Sequence, residues 1–317
     1  MTIVRLRRLA LTAVALAGAA GPAAAQPAPD SRETRIAVLV SQEAPPYRQA
    51  LAGFTRALER RGLKVSVRVG SLEGDGAKAA QALAAARPEQ AQLILTLGTL
   101  ATQAVAARKD LTAPVVTGLV LRVSDLGGAN ATGVVLEFPV ETELRWLQRF
   151  FPGRRAVGVL YHPDENRSRI EAAVRTAQAL GLTLVARSVE RARDLPDELE
   201  SLANRADLLW GVADSVVLTP QTAKPILLFS YRNRIPFVGL SQSWVKAGAL
   251  YALDRDYDDI GAQCAELAFK VLRGTPPSAL PPEPPRKLVY SINLRTARHM
   301  KLEIPDALLK GAQEVVD

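Results

Sequence analysis

Polar residues follow apolar segments at several points in this chain, where a folded α/β protein could bind a small molecule. Gly98 and Thr99 come directly after the apolar run Leu93–Leu97 and open a helical segment. Free N–H groups at a helix start attract anions, so Thr99 could hold a carboxylate or could be a plain helix cap. Asp214 follows the short apolar run Leu208–Gly211, and its carboxylate could pair with an ammonium group. These residue types suit a small solute that carries both charges.

A second polar segment, Ser241–Lys246, follows the predicted buried strand Pro236–Leu240, and an acidic helix start follows at Asp254. Open α/β sheets bind ligands at the carboxyl ends of their strands. We therefore expect Ser241 and Asp254 to be further ligand contacts.

The same segment nearly spells the nucleophile turn of a hydrolase. The run Gly239–Ser243 (GLSQS) has a serine in place of the second glycine, and Asp254 and His299 follow in hydrolase order. The sequence predicts a strand after this run, whereas such a nucleophile requires a helix. Because His162 and His299 are the only histidines, the sequence shows no metal cluster. We therefore expect no enzyme activity, no metal and no cofactor.

The N-terminus has the three parts of a secretory signal peptide. A start with three arginines precedes the apolar run 9–21, and the small residues Ala23–Ala25 follow. The apolar run is shorter than the roughly 20 residues that a membrane span needs. We expect cleavage after Ala25 and location in the periplasm. An uncleaved anchor is the alternative.

The charge and the single cysteine exclude other classes of function. The net charge is +8, but its 40 basic residues are scattered among 32 acidic ones, and only 5% of residues are aromatic. Nucleic-acid binding favours clustered positive charge, so we expect no nucleic-acid partner. Cys264 has no partner for a disulfide within the chain, and its place on an apolar helix stripe predicts a buried, unreactive thiol.

Short β-rich runs alternate with longer helical runs along the chain. Two consecutive βαβαβ arrays predict an α/β fold with two Rossmann-like, doubly wound lobes joined by a hinge. The predicted strands include Arg35–Val40, Leu93–Leu97, Ala156–Tyr161 and Thr183–Ser188, and one predicted helix starts at Ser168. The expected boundaries are a signal peptide (1–25), a leader (26–34), lobe 1 (35–139 plus 243–274), lobe 2 (140–242), a proline-rich connector (275–285) and a C-terminal segment (286–317) whose lobe the sequence leaves open.

The last third of the chain carries an ordered set of residues. They are Val245, Gly248, Ala249, Asp256, Tyr257, Gly261, Leu272, Gly274, Ile292, Asn293, Ile304 and Pro305. This order resembles the closing third of the solute-binding proteins of the tryptophan/tyrosine-type ABC transporter family. The resemblance runs from about Arg35 to Val316 and implies the periplasmic binding protein type I fold.

The resemblance also implies ligand contacts in lobe 1. The family has Glu-His-Pro after its first strand, and this chain has Glu43, Ala44 and Pro45. Glu43 is therefore either a ligand contact or a solvated loop carboxylate. Gly98 and Thr99 match the family's Gly-Thr, whereas its Thr-Asp-Pro is absent and Thr117 and Gly118 stand near that place.

In lobe 2 the family pattern is Tyr-Asn-Pro-x-Glu-x-Asn-Ser. Here Tyr161, Pro163, Glu165 and Ser168 match, while Arg167 replaces an asparagine that the pattern puts at the cleft. Ala213-Asp214-Ser215 stands where the family has Thr-Asp-Asn. The resemblance therefore implies contacts from Tyr161, Glu165, Asp214 and Ser215.

The family resemblance implies a function as well. It implies a monomeric periplasmic protein that captures an amino acid or similar solute between two lobes. The protein would deliver this small-molecule ligand to an inner-membrane ABC permease with its ATPase. The altered cleft positions leave a second possibility open, which is a periplasmic sensor or accessory module with the same fold and no transport role.

Overall fold

The computed structural model describes residues 33–128 and 130–317. The expected signal peptide and most of the leader lie outside the described residues. The strands are β1 (Thr34–Val40), β2 (Val65–Ser71), β3 (Leu93–Leu97), β4 (Val115–Val120), β5 (Ala131–Val135), β6 (Ala156–Tyr161), β7 (Thr183–Ser188), β8 (Leu208–Trp210), β9 (Phe237–Gly239), β10 (Tyr251–Arg255), β11 (Leu288–Asn293) and β12 (Glu314–Val316). The helices are α1 (Pro45–Arg60), α2 (Ala79–Ala86), α3 (Thr99–Ala106), α4 (Val140–Phe150), α5 (Pro163–Ala179), α6 (Leu195–Glu200), α7 (Pro220–Asn233), α8 (Gln242–Ala247), α9 (Tyr257–Leu272), α10 (Leu294–His299) and α11 (Asp306–Gly311).

The first sheet contains five parallel strands in the order β2-β1-β3-β4-β5. Its strands are apolar on both faces because helices cover both. Ile36 and Val38 pack with α1 and α9 on one face. Ala37 and Leu39 pack with α2 and α3 on the other. This sheet and its four helices form lobe 1.

The second sheet contains seven strands in the order β12-β11-β10-β9-β8-β6-β7. Its neighbours are parallel except for β10 and β11. Val157 and Trp210 pack with α4 and α5 on one face. Leu160 and Leu209 pack with α6 and α7 on the other. This sheet and its helices form lobe 2.

The chain returns to lobe 1 later than the sequence predicts. We expected residues 243–274 in lobe 1, but β10 lies in the second sheet, where Tyr251 pairs with Val238 of β9. Of residues 243–274, only those of α9 return to lobe 1, because the apolar side of α9 fills the space between α1 and the first sheet. The C-terminal segment adds β11 and β12 to lobe 2.

The proline-rich connector is fixed against lobe 1. The Glu283 N–H donates to the Gly133 carbonyl oxygen at 3.0 Å, and its own carbonyl accepts from the Val135 N–H at 3.0 Å. The connector therefore extends the edge of β5 and carries the chain back to β11. The chain thus crosses between the lobes three times: at residues 136–139, at Asp256 and through this connector.

Two local predictions differ from the structure. Helix α5 starts at Pro163 and not at Ser168, because a proline at the first position and two acidic residues in the first turn suit a helix start. A short helix, α8, occupies the expected polar loop after Ser241.

Helices α1 and α9 touch backbone to backbone. A Cβ atom at Gly261 would lie 1.9 Å from the Ala50 carbonyl oxygen, and one at Gly53 would lie 2.0 Å from the Asp258 carbonyl oxygen. Only glycine permits this approach. Since α9 follows directly on β10, the contact also fixes where the chain leaves lobe 2.

Within residues 33–128 and 130–317, none of the helices is both long and apolar enough to span a bilayer.

Candidate functional site

The carboxyl ends of the strands in the two lobes face each other. Leu121 and Leu136, which follow β4 and β5, line one cavity together with Gly211 and Leu240, which follow β8 and β9. This is the edge at which α/β sheets bind ligands, and here two such edges meet. The space between them is the cleft.

On the lobe 1 side of the cleft, the expected contacts Glu43, Gly98 and Thr99 lie together, because β1 and β3 are neighbours. Glu43 and Thr99 are exposed. Thr99 does not cap α3. The Ser41 hydroxyl accepts from the Ala101 N–H at 3.0 Å in its place, and Gly98 is the N-cap residue.

Gly98 has to be a glycine at this place. Its φ is +90°, and a Cβ atom there would lie 2.5 Å from the Ser41 hydroxyl oxygen. Because Gly98 has no side chain, Ser41, the start of α3 and the Glu43 loop can lie close together. Thr99 and its helix start therefore remain available to a ligand.

Thr117 and Gly118 do not reach the cleft. The Thr117 hydroxyl is fully buried and lies 2.9 Å from the Thr96 hydroxyl inside lobe 1. A Cβ atom at Gly118 would lie 3.0 Å from the Cys264 sulfur, so the missing side chain lets α9 pack closely against β4. Both residues serve packing, and Cys264 is itself buried, which raises the pKa of its thiol to about 12.

On the lobe 2 side, Asp214 already has four hydrogen-bond donors. Its Oδ2 accepts from the His162 N–H at 2.6 Å and from the Asn166 Nδ2 at 2.9 Å. Its Oδ1 accepts from the Val216 and Val217 N–H groups at 2.9 and 2.8 Å. The side chain therefore ties the loop after β8 to the start of α5, and this occupation argues against pairing with a ligand ammonium.

Glu165 and Ser215 also bond to each other. The Glu165 carboxylate accepts from the Ser215 N–H at 3.2 Å and from the Ser215 hydroxyl. Tyr161 ends β6 beside them and is partly exposed. All three lie at or just after the carboxyl ends of β6 and β8, which we call the rim of lobe 2, and Ser215 is exposed.

A hydrogen bond between the side chains of Arg122 and Asn166 connects the two lobes. The Arg122 guanidinium, which follows β4 in lobe 1, donates to Asn166 Oδ1 at 3.1 Å in lobe 2. Asn166 is fully buried and in turn donates to Asp214. Arg122, Asn166 and Asp214 thus form a continuous polar connection between the lobes.

The cavity between the lobes has a volume of about 190 Å³. Most of its lining is apolar or aromatic, and the polar side chains that reach it are Glu143, Tyr251 and Arg255. The remaining lining residues are Leu121, Leu136, Phe138, Leu147, Trp210, Gly211, Ala213, Val238, Gly239, Leu240 and Leu253.

The charged side chains at this cavity already have partners. Arg169 binds Glu143 and also lies 2.9 Å from a Glu137 carboxylate oxygen. The Arg255 Nε donates to the Leu136 carbonyl at 2.8 Å, and its guanidinium lies 4.4 Å from the centre of the Phe138 ring. Burial raises the pKa of Glu143 to about 7, against the opposing effect of Arg169 and Arg255.

We expect the raised pKa of Glu143 to make stability depend on pH. The unfolded chain loses this proton near pH 4.5 and the folded chain near pH 7, so the folded state binds more protons between these values. The free energy of unfolding should therefore fall as pH rises from 4.5 to 7 and change little above. Urea unfolding of the wild type and of Glu143→Gln across this range measures the effect. An equally steep fall in the variant would contradict it.

Ser241 and Asp254 lie in a wider groove of about 920 Å³, next to the cleft. Pro45 and Gln49 of α1 line its other side, so this groove also lies between the lobes. The Asp254 carboxylate accepts from the Tyr257 hydroxyl at 3.0 Å and from the Arg255 N–H at 2.8 Å.

The hydrolase hypothesis requires one correction. A helix, α8, does follow Ser241, contrary to the strand that the sequence predicts. Ser241 nevertheless has an extended backbone (φ −161°, ψ 170°) and not the strained turn of a nucleophile. The His299 ring stacks on Tyr231 at 3.5 Å and bonds to its carbonyl. Its ring is thus held against α7.

Sequence reasoning missed Arg122, Asn166, Glu143 and Tyr251. For Glu143 a signal existed, since it lies one helical turn before the buried Leu147 on the apolar stripe of α4. Asn166 is next to Glu165, which we singled out, and Tyr251 lies inside a predicted strand. Arg122 had no such signal, because a charged residue after a strand is usually solvated.

In the part of the chain that the structure describes, no three His, Cys, Asp or Glu side chains come together as a metal site.

Comparison with known proteins agrees with this architecture. A family described as "ABC transporter substrate binding protein" matches residues 35–316. A "Tyrosine-binding protein" from Clostridioides difficile (strain R20291) is 24% identical over 258 residues, which are 77% of this chain and 74% of that protein.

Two solved structures show the same fold. One is the ABC domain in complex with L-Trp from Streptococcus pneumonia, with a TM-score of 0.61, 22% identity and coverage of 90% of this chain and 100% of that chain. The other is the ligand-free, open structure of a substrate binding protein with adhesive properties from Clostridium difficile. It has a TM-score of 0.73 and 20% identity, and the match covers 89% of this chain and 99% of that chain.

The expected type I periplasmic binding protein fold is thus confirmed, and so is the family resemblance. Because the match spans nearly all of the described residues, this chain belongs to the ABC transporter substrate binding protein family.

Proposed function

We propose that this protein captures an amino acid or a similar small solute in its cleft, outside the inner membrane, and delivers it to an ABC permease. The observation that carries the proposal is the meeting of two strand edges, from separate lobes, around one cavity. Three crossings join the lobes, which suits hinge closure around a ligand.

Lobe 1 offers the carboxylate site. Thr99 is exposed at the start of α3, while Ser41 takes over the capping bond to the Ala101 N–H. The N–H groups of Thr99 and Leu100 at the same helix end suit a ligand anion. Lobe 2 offers polar groups for the rest of the solute at its rim, through Tyr161, Glu165 and Ser215 together with Ser241.

The class of solute has support from the relatives. The printed names of two of them refer to tyrosine and to L-Trp. An amino acid therefore is the first class to test, without a commitment to one side chain.

Thermal unfolding of the mature protein with a panel of amino acids tests the proposal. A solute at 100 times its Kd should raise the free energy of unfolding by about 2.7 kcal/mol, because only the folded chain binds it. Solution scattering should show a smaller radius of gyration. The matched controls are the carboxamides of the same amino acids, which lack the anion and should bind at least about tenfold more weakly.

Uptake measurements in the host test delivery. Deletion of the gene should abolish uptake of the solute that binds. If a solute binds and compacts the protein but uptake persists after deletion, the sensor or accessory function replaces transport. If no amino acid binds, the solute class is wrong.

A further inference from the structure

One exposed side of α7 in lobe 2 combines apolar and basic side chains. Leu228 and Tyr231 are 40% and 49% exposed there. Lys224 and Arg232 are exposed as well, and they lie four residues before and four residues after Leu228. This spacing places all four side chains on one side of the helix, which we call the α7 face. A leucine and a tyrosine side by side form an apolar patch, unlike exposed apolar residues that stand singly.

Helix α10 extends the α7 face. The His299 ring stacks on the Tyr231 ring with centroids 3.5 Å apart and an angle of 6° between the planes. Because this stack already holds the Tyr231 ring at the surface, binding a partner there costs little further ordering. Arg298 and Lys301, on either side of His299, are both exposed.

The charge of this region has one sign. Segments 220–234 and 294–301 each contain three lysine or arginine residues and no acidic residue. Arg298 pairs with Asp317, which still leaves positive charge in excess. A second copy of this chain on the same face would bring like charges together, which costs free energy. The α7 face therefore suits an anionic surface.

The α7 face lies away from the cleft. Helix α7 leads into β9, and Leu240 at the carboxyl end of β9 lines the cavity between the lobes. Tyr231, near the end of α7, therefore lies toward the opposite edge of the sheet. Helix α10 follows β11, which is antiparallel to β10 and so ends at that same edge. A partner on the α7 face would leave the cleft open to solute.

We propose that the α7 face binds the surface of a membrane that contains anionic phospholipids. Basic side chains are attracted to such a surface, while leucine and tyrosine side chains insert at the level of the head groups. The α7 face offers both kinds of side chain on one ridge. The proposal rests on the location outside the inner membrane that the proposed function includes, and it requires no solute.

Co-sedimentation of the purified mature protein with lipid vesicles tests the proposal. The protein should bind vesicles of phosphatidylcholine mixed with phosphatidylglycerol, should bind pure phosphatidylcholine far more weakly, and should dissociate at about 1 M salt. Lys224→Gln/Arg232→Gln should weaken binding about 25-fold, about fivefold for each charge removed. Arg175→Gln/Lys270→Gln is the matched control, because it removes the same charge from exposed positions on α5 and α9. It should change binding by less than about twofold.

The apolar part of the α7 face has its own test. Leu228→Ser should weaken binding to the mixed vesicles about tenfold, because less apolar surface leaves water. Thermal unfolding with the bound solute should give the same affinity in every variant, so loss of vesicle binding leaves the proposed function intact. Absence of binding to the mixed vesicles, or an equal loss in the control pair, overturns the proposal. If polyglutamate binds and the mixed vesicles do not, the partner is an acidic protein and the membrane proposal is wrong.

Discussion

Asp214→Ala should lower the free energy of unfolding of the ligand-free protein by about 3–4 kcal/mol. Its carboxylate accepts four hydrogen bonds, from the N–H groups of His162, Val216 and Val217 and from the Asn166 side chain. Alanine would leave these donors unsatisfied in a site where Asp214 is only 9% exposed. Urea unfolding followed by circular dichroism measures the loss.

This experiment separates two roles of the same residue. If Asp214 only paired with a ligand ammonium, the variant would lose affinity and keep the stability of the ligand-free protein. Glu171→Ala is the control, since Glu171 is exposed on α5, and it should change stability by less than about 0.5 kcal/mol. A stable Asp214→Ala with weakened binding would restore the ammonium role that the sequence suggests.

Gly261→Ala should lower the free energy of unfolding by about 3 kcal/mol. The added Cβ would lie 1.9 Å from the Ala50 carbonyl oxygen and 2.8 Å from the Phe54 nitrogen. Both are backbone atoms inside a helix, so relief requires α9 to move away from α1. The displaced helix would also strain Asp256, where the chain crosses between the lobes, and ligand closure should weaken with it.

Gly76→Ala is the matched control for this prediction. A Cβ atom at Gly76 would meet only the flexible end of Leu100, at 3.9 Å. We expect Gly76→Ala to leave the free energy of unfolding unchanged or to raise it by less than about 1 kcal/mol, because replacing an unstrained glycine restricts the unfolded chain. If Gly261→Ala unfolds at the same urea concentration as Gly76→Ala, the helix contact is looser than the structure indicates.

Local pattern sufficed for most of the elements. Strands β3, β6 and β7 have the predicted bounds, because a short apolar run between turn residues favours a buried strand. The predicted start of α5 at Ser168 was wrong, because Pro163 and its acidic neighbours begin the helix earlier in the chain. The polar run after Ser241 folded as a helix because β9 and β10 hold both of its ends.

The lobe boundaries required long-range contacts. Residues 243–255 and α9 are adjacent in sequence, and both are apolar enough for either core. Pairing of Tyr251 with Val238 and the approach of Gly261 to Ala50 assign them to different lobes. Neither contact has a signal in the local pattern.

The sequence alone determined the family and the two α/β lobes, because these depend on residue order and periodicity. It also singled out Thr99, Glu165 and Ser215 as ligand contacts, and these remain predictions; Thr99 and Ser215 are exposed, and Glu165 accepts from the Ser215 N–H. The tertiary structure decided which polar groups are already bonded. Asp214 is occupied, Thr117 is buried and Tyr251 has no partner in the described residues, since a side chain's availability depends on its neighbours in space.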